Sequence, residues 1–244
     1  MSNITYVSLS QATALKRSLN MTAHNLANAS TAGYKSSHPL FASVDDNSTD
    51  RGISYVQDNG TYLELAEGAL VPTGNPLDIG LRGQGWLTFA LKSGETGYSR
   101  HGQLVLDAEG QLMTARGDVL LDASGGPISL PDGVGQNVII TSDGTITDQQ
   151  GTVLGAIGVV TIEQGAKMLP LGGGMYSIPR NTAAPQLAEN PKVMQGFVET
   201  SNVEAVLEMT RLIDIQRAYE NAVKLMNQDD DLTKKAIQRL GTQR

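Results

Sequence analysis

Every proline of this chain lies between Pro39 and Pro191, and every glycine except Gly33 and Gly241 lies between Gly52 and Gly196. Proline removes a backbone donor and glycine adds chain entropy, so both work against helix. Only the two ends, roughly 3–28 and 202–240, are long enough and free enough of breakers to be helical. The middle carries the turn residues of a β structure. The expected class is α+β, with long N- and C-terminal helices forming a helical, coiled-coil assembly domain and a central all-β domain. The expected divisions are 1–35 (helix and turn, pairing with the C-terminal helix), 36–80 (extended connector), 81–179 (β domain), 180–200 (return connector) and 201–244 (C-terminal helix).

The N-terminal segment places Ile4, Val7, Leu15, Leu19 and Leu26 on one helical face, with Ser2 or Asn3 as a cap. Its helix is expected to end near Asn28, before a turn at 29–33 around Gly33. Beside the apolar face stand His24, Asn25 and Asn28. The asparagines either face solvent and cap the helix, or lie buried and set register between packed helices. In the C-terminal segment Ser201 and Glu204 have capping-box spacing. Leu212, Ile215, Tyr219, Ala222 and Met226 follow on one face, with Glu220 and Lys224 as an i,i+4 pair. The run Asp229–Asp231 is expected to fray or bend the helix, partly offset by Lys234 and Lys235. A helix of this length, roughly 60 Å at ~1.5 Å per residue, has more apolar face than a small domain covers. It packs either as an intramolecular hairpin alone or laterally against other subunits as well.

Between the ends, short runs such as Leu87–Leu91, Gln103–Leu106, Asn137–Thr141 and Val153–Ile162 are separated by Asp107–Gly110 and Asp143-Gly144. Residues 45–60 are expected as a mobile loop. Asp107, Asp122, Asp143 and Asp148 sit beside turn residues and are read as turn formers rather than calcium ligands.

The charge of −7 is unevenly spread. The first 44 residues hold Lys16, Arg17 and Lys35 with no acid, the last 43 are neutral, and the middle is strongly acidic. An acidic body lacks the basic surface of a nucleic-acid binder. With no cysteine and only His24, His38 and His101, thiolate metal sites and disulfides are excluded and no zinc spacing is present. No nucleophile elbow, phosphate loop or zinc-protease motif occurs. The expectation is a non-enzyme without cofactor or small-molecule substrate. No apolar run is long enough to span a bilayer, and no cleaved secretory leader is expected.

Several ordered motifs carry a resemblance. Ala23-His-Asn-Leu-Ala-Asn-Ala-Ser-Thr-Ala-Gly-Tyr-Lys35 resembles the N-terminal signature of bacterial flagellar rod and hook proteins. Thr73-Gly-Asn-Pro-Leu-Asp-Ile-Gly80 and Gly83-Gln-Gly-Trp-Leu87 are similar to that family's entry into its β domain. Tyr98-Ser-Arg-His-Gly102, Gly110-Gln-Leu112, Val193-Met-Gln-Gly196, Glu199-Thr-Ser-Asn-Val203 and Gln216-Arg-Ala-Tyr-Glu220 continue it in order. Gly85-Trp86-Leu87 resembles the proximal rod members, and Gln216–Glu220 the distal rod and hook pattern.

The resemblance implies a structural rod subunit of the flagellar basal body, without catalytic residues, exported by the flagellar type III apparatus and assembled in the periplasm with copies of itself and other rod subunits. It adds Asn202, Val203, Gln216 and Arg217 to the C-terminal packing set. It also assigns Gly33, Tyr34, Gly74, Asn75, Leu77 and Asp78 to turns and connectors. Two other readings are a distal rod or hook subunit, and a secreted carbohydrate- or wall-binding module using Trp86, Tyr98 and Tyr176 as sugar platforms.

Overall fold

The structure, a computed structural model, describes residues 3–46, 53–131, 133–134, 137–163 and 165–241. The expected Ser2 cap and the Ile4 side chain lie outside the described residues. The chain is α+β, with a helix at each end and strands between them. It divides into two compact units, the first from 1–27, 37–63 and 204–244 and the second from 28–36 and 64–203.

In the first unit helix α1 (Asn3–Ala27), the hairpin strands β1 (Ser37–Asp46) and β2 (Ile53–Leu63), and helix α2 (Ala205–Gly241) pack together. Thr5 Oγ1 donates to Asp229 Oδ2 at 2.6 Å. A parallel partner would run past the end of α2 within a few turns of this point, so the long contact between the helices requires an antiparallel pair. Both strands of the hairpin also pack on α1. Val56 N–H donates to Ser10 Oγ and Arg17 lies 3.5 Å from Asp58. Of the expected loop at 45–60, residues 45–46 and 53–60 are strand, and 47–52 lie outside the described residues. Tyr55, Val56, Thr61 and Tyr62 are β-formers, and they pair in register with Val44, Ser43, Pro39 and His38.

Asn25 fixes the start of the hairpin. It is 1% exposed, its Oδ1 accepts from Ser37 N–H and its Nδ2 donates to Ser37 C=O, both at 2.9 Å. Asn25 is buried, and its amide copies a β-ladder contact at Ser37.

The second unit, the body, is antiparallel throughout. Its largest sheet runs 169–172, 175–177, 96–99, 86–90, 119–120, 112–114 and 104–106 in spatial order, with 159–161 also pairing 86–90. A separate three-stranded sheet is formed by 139–140, 145–147 and 153–156. Leu87, Phe89, Leu104, Leu112, Leu120 and Ile146 are fully or almost fully buried and form the centre of one core. The turn aspartates act as expected: Asp107, Asp122, Asp143 and Asp148 each accept backbone N–H groups two or four residues on. A side-chain hydrogen bond from Thr141 holds Asp143 below the usual carboxylate range, and backbone donation from Thr152 does the same for Asp148.

Asn25→Ala leaves the N–H and C=O of Ser37 buried without their partners. It is expected to cost about 1–3 kcal/mol in urea unfolding, and Asn25→Asp, which cannot donate to the carbonyl, is expected to recover only part of that.

Candidate functional site

Along α1, Ser8, Ala12, Leu15, Leu19, Thr22 and Leu26 are buried or half-buried and are spaced alternately four and three residues apart, while Asn25, the most buried described residue of the helix, lies off this series. On α2 the same alternation runs through Glu208, Leu212, Ile215, Tyr219, Ala222, Met226 and Asp229. A mean spacing of ~3.5 residues is the seam of two helices packed side by side. The apolar stripes read from sequence fall mostly on these positions. The most buried of these positions are four small residues, Ser8, Ala12, Thr22 and Ala222, and the carboxylate Glu208, which pairs with Arg211; Leu15, Leu19, Leu212 and Ile215 are half-buried. Val7 is half-buried beside this seam.

A different set of apolar residues faces outward. At ~100° per residue, Val206, Met209 and Ile213 form a row on one flank of the α2 seam and Leu207, Leu225 and Leu232 a row on the other. All six are exposed. Ile237 and Leu240 lie on the seam side of α2, beyond the turn opposite Thr5 where α1 starts, and are 64% and 76% exposed. The Asp229–Asp231 run is helical throughout, because Asp229 takes Thr5 and Asp230 pairs with Lys234 at 2.6 Å. Gln216 and Arg217 are exposed, and Glu220 accepts from Gln216 Nε2.

Two expectations at the start of α2 are corrected. The helix begins at Ala205, so Asn202 and Val203 precede it. Ser201 Oγ accepts from Val203 N–H, and the first helical bond runs from Glu208 N–H to Glu204 C=O. No capping box forms, because Asn202 is held elsewhere. Its Oδ1 accepts from Ser36 N–H at 2.8 Å and its Nδ2 donates to Glu64 C=O at 2.9 Å. Glu64 N–H donates to Ser36 C=O. Ser36, Glu64 and Asn202 thus tie together three stretches of the body at or beside its boundaries with the other unit.

Below this staple lies a buried charge cluster. Glu199 is fully buried; its Oε1 accepts from Lys35 Nζ at 2.6 Å and Gly68 N–H at 3.0 Å, and its Oε2 from Arg100 Nη1 at 3.0 Å. Lys35 also donates to Ala66 C=O, and Arg100 to Leu81 and Gly83 C=O. Burial pulls the Lys35 ammonium below its ordinary range, opposed by the Glu199 charge. Lys35 N–H donates to Tyr176 Oη, and Tyr176 O–H donates to Lys35 C=O. Burial pushes the Tyr176 hydroxyl far up, so it remains a donor. Trp86 meets Tyr176 edge-on at 5.5 Å with the Arg100 guanidinium over its ring. Trp86 and Tyr176 are 5% and 1% exposed, so neither offers a ring face to a sugar. Tyr98 is half-buried.

The connector residues close around the same region. Gly33 has φ +66°, and a Cβ there would lie 2.3 Å from His101 N; its N–H donates to Glu199 C=O. Tyr34 C=O accepts from Asn202 N–H, and Asn28 accepts from Thr31 in the turn before it. Gly74 has φ +73°, Asn75 Nδ2 donates to Asp78 Oδ1, and Asn75 Oδ1 accepts from Leu77 N–H. The buried Asp78 accepts from Gly196 N–H through its carbonyl. Sequence reasoning quoted the motifs holding Lys35, Arg100 and Glu199 without giving them a role. The signal available was charge type: these residues stand inside Gly- and apolar-rich runs.

Three segments match protein-family models. Residues 6–35 match the flagella basal body rod protein, 80–148 the flagellar hook protein FlgE/F/G D1 domain, and 194–239 the flagellar basal body rod FlgEFG protein C-terminal region. The chain is 36% identical to the flagellar basal-body rod protein FlgF of Mesorhizobium japonicum, over 97% of each chain. The chain belongs to the flagellar basal-body rod protein family. FlgF of Caulobacter vibrioides is 34% identical over 99% of each chain, and FlgG of Agrobacterium fabrum 30% identical over 90% of this chain and 92% of its own. This rod protein is a structural subunit of the flagellar basal body, and its part in motility follows from that role. The charge cluster and the helix pair are the two features on which such a role can rest.

Glu199→Gln keeps the shape of the side chain but leaves two buried cations without their anion. The change is expected to cost this rod protein about 3–5 kcal/mol in chemical unfolding. A cost below about 1 kcal/mol would show that the cluster contributes little.

Proposed function

We propose that this rod subunit polymerises through the outward faces of α2 and the exposed part of α1, with the body placed outside the tube formed by the helices. The observation that carries this is the pair of exposed apolar rows flanking the α1–α2 seam. A helix apolar on three sides is suited to burial among several neighbours. Burial of such surface is worth ~25 cal/mol per Å², a sufficient drive for assembly without any covalent link. The residues named from sequence then divide by role. Leu15, Leu19, Leu26, Leu212, Ile215, Tyr219, Ala222 and Met226 hold the helix pair, and Gln216 and Arg217 face the neighbouring subunits.

Export by the flagellar type III apparatus without a cleaved leader, assembly in the periplasm, and a place in the proximal rod complete the reading. The proximal place is supported by the FlgF relatives, both 34% or more identical over nearly their full length. The subunit transmits torque by static packing and catalyses no reaction.

The absence of cysteine makes a direct test possible. Single variants Ile213→Cys and Leu232→Cys are expected to react rapidly with a maleimide in the purified monomer and to be protected in isolated basal bodies. Val153→Cys, on an exposed strand of the body, is expected to stay reactive in both. Helix positions that label equally fast in basal bodies would rule out packing through α2.

A further inference from the structure

Strand β2 contains the one asparagine of the chain that is followed by glycine, Asn59-Gly60. Pro39 pairs with Thr61 and Phe41 with Asp58, so Asn59 and Gly60 together oppose Leu40 alone. Such a bulge disrupts the ladder and leaves its extra residue unpaired. Gly60 N–H is accordingly donated along its own strand, to Asp58 Oδ1 at 2.9 Å. Gly60 has φ +111°, which side chains rarely adopt, and a Cβ there would meet nothing within 4 Å. Asn59 is exposed, and its carboxamide has no hydrogen-bond partner among the described residues. Asn25 and Asn202, in contrast, have both ends of their amides engaged.

An asparagine carboxamide carbon and the backbone nitrogen of the next residue are separated by a single ring closure. Two things normally prevent it in a strand. A side chain on the next residue crowds the nitrogen, and cross-strand hydrogen bonds hold the main chain extended. At this position glycine removes the first obstacle and the bulge removes the second.

We propose that Asn59 is a site of self-modification in the folded protein. The Gly60 nitrogen attacks Asn59 Cγ, the new N–C bond closes a succinimide, and the side-chain nitrogen leaves. The proton lost from Gly60 N passes through solvent to that leaving group, which departs as ammonia. One water molecule then opens the ring at either carbonyl, giving aspartate or isoaspartate. No oxidant, reductant or cofactor enters. Either product sets a carboxylate next to Asp58, which lies 3.5 Å from Arg17 of α1. Isoaspartate also adds one carbon to the main chain of β2. The reaction depends only on the hairpin and stands apart from the rod reading.

The full-length protein is incubated at mildly alkaline pH, folded in buffer and in parallel unfolded in guanidinium chloride. Peptide mass spectrometry follows the mass gain of amide-to-acid conversion, and chromatography separates the two isomers. The folded protein is expected to convert Asn59, to both isomers, no more than about tenfold more slowly than the unfolded chain, because no ladder has to open first. Asn181, exposed in a turn but followed by Thr182, is expected to stay unconverted over the same time. Greater protection of Asn59 in the folded protein would show that the strand holds the pair apart, and would overturn the proposal. Conversion of Asn181 as fast as Asn59 would overturn it as well.

Discussion

A fully buried carboxylate imposes the strictest condition in this molecule. Glu199 has to be matched by donors from elsewhere in the chain, or its burial would cost several kcal/mol. Those donors come from Lys35, Gly68 and Arg100, which are far apart in sequence. Each brings further contacts: Lys35 reaches Ala66 and Tyr176, and Arg100 reaches Leu81, Gly83 and the Trp86 ring. Gly33 and Gly68 are glycines for the same reason. A Cβ at Gly33 would meet Arg100 and His101, and one at Gly68 would meet the Thr200 carbonyl, so the backbones could not come this close. The cluster thereby ties the segment after α1 to the segment before α2 within the body.

The helices obey a different condition. Four of the most buried positions along the helices, Ser8, Ala12, Thr22 and Ala222, are small, and their leucines and isoleucines are divided between half-buried and exposed positions. The 4-3 spaced positions are the buried and half-buried ones, and the exposed rows on either side are the surface that the proposed lateral packing would use. A subunit of this kind has a finished interior in its body and an unfinished surface on its helices, as a structural element of a larger rod requires.

Much of this was legible in the chain. Breaker distribution located both helices to within a few residues, and Asp-Gly punctuation marked the turns of the body. What the sequence hid was mostly long-range. Asn202 reads as the start of a helix because it follows Ser201 and precedes an apolar pattern, yet its amide is claimed by Ser36 and Glu64, which no local rule reveals. Asn25 reads equally well as a helix-contact residue, and no local rule reveals its two hydrogen bonds to the strand beginning at Ser37. The hairpin strands over 37–46 and 53–63 read as connector and loop because Asp, Asn and Ser outnumber the strand-forming residues over 45–54. Lys35, Arg100 and Glu199 lie in recognisable motifs, but their meeting depends on the antiparallel pairing of strands far apart in the chain.

The central claim is that the Glu199 cluster is as firm as the β core of the body. Gly33 N–H is bonded to the Glu199 carbonyl and Gly68 N–H to its carboxylate. Native-state hydrogen exchange of these two amides, compared with the core amide of Leu121, measures it directly. All three are expected to exchange only through global unfolding, with the same free energy of opening and the same denaturant dependence. Exchange of Gly33 and Gly68 by a local, denaturant-independent opening while Leu121 stays protected would contradict the account.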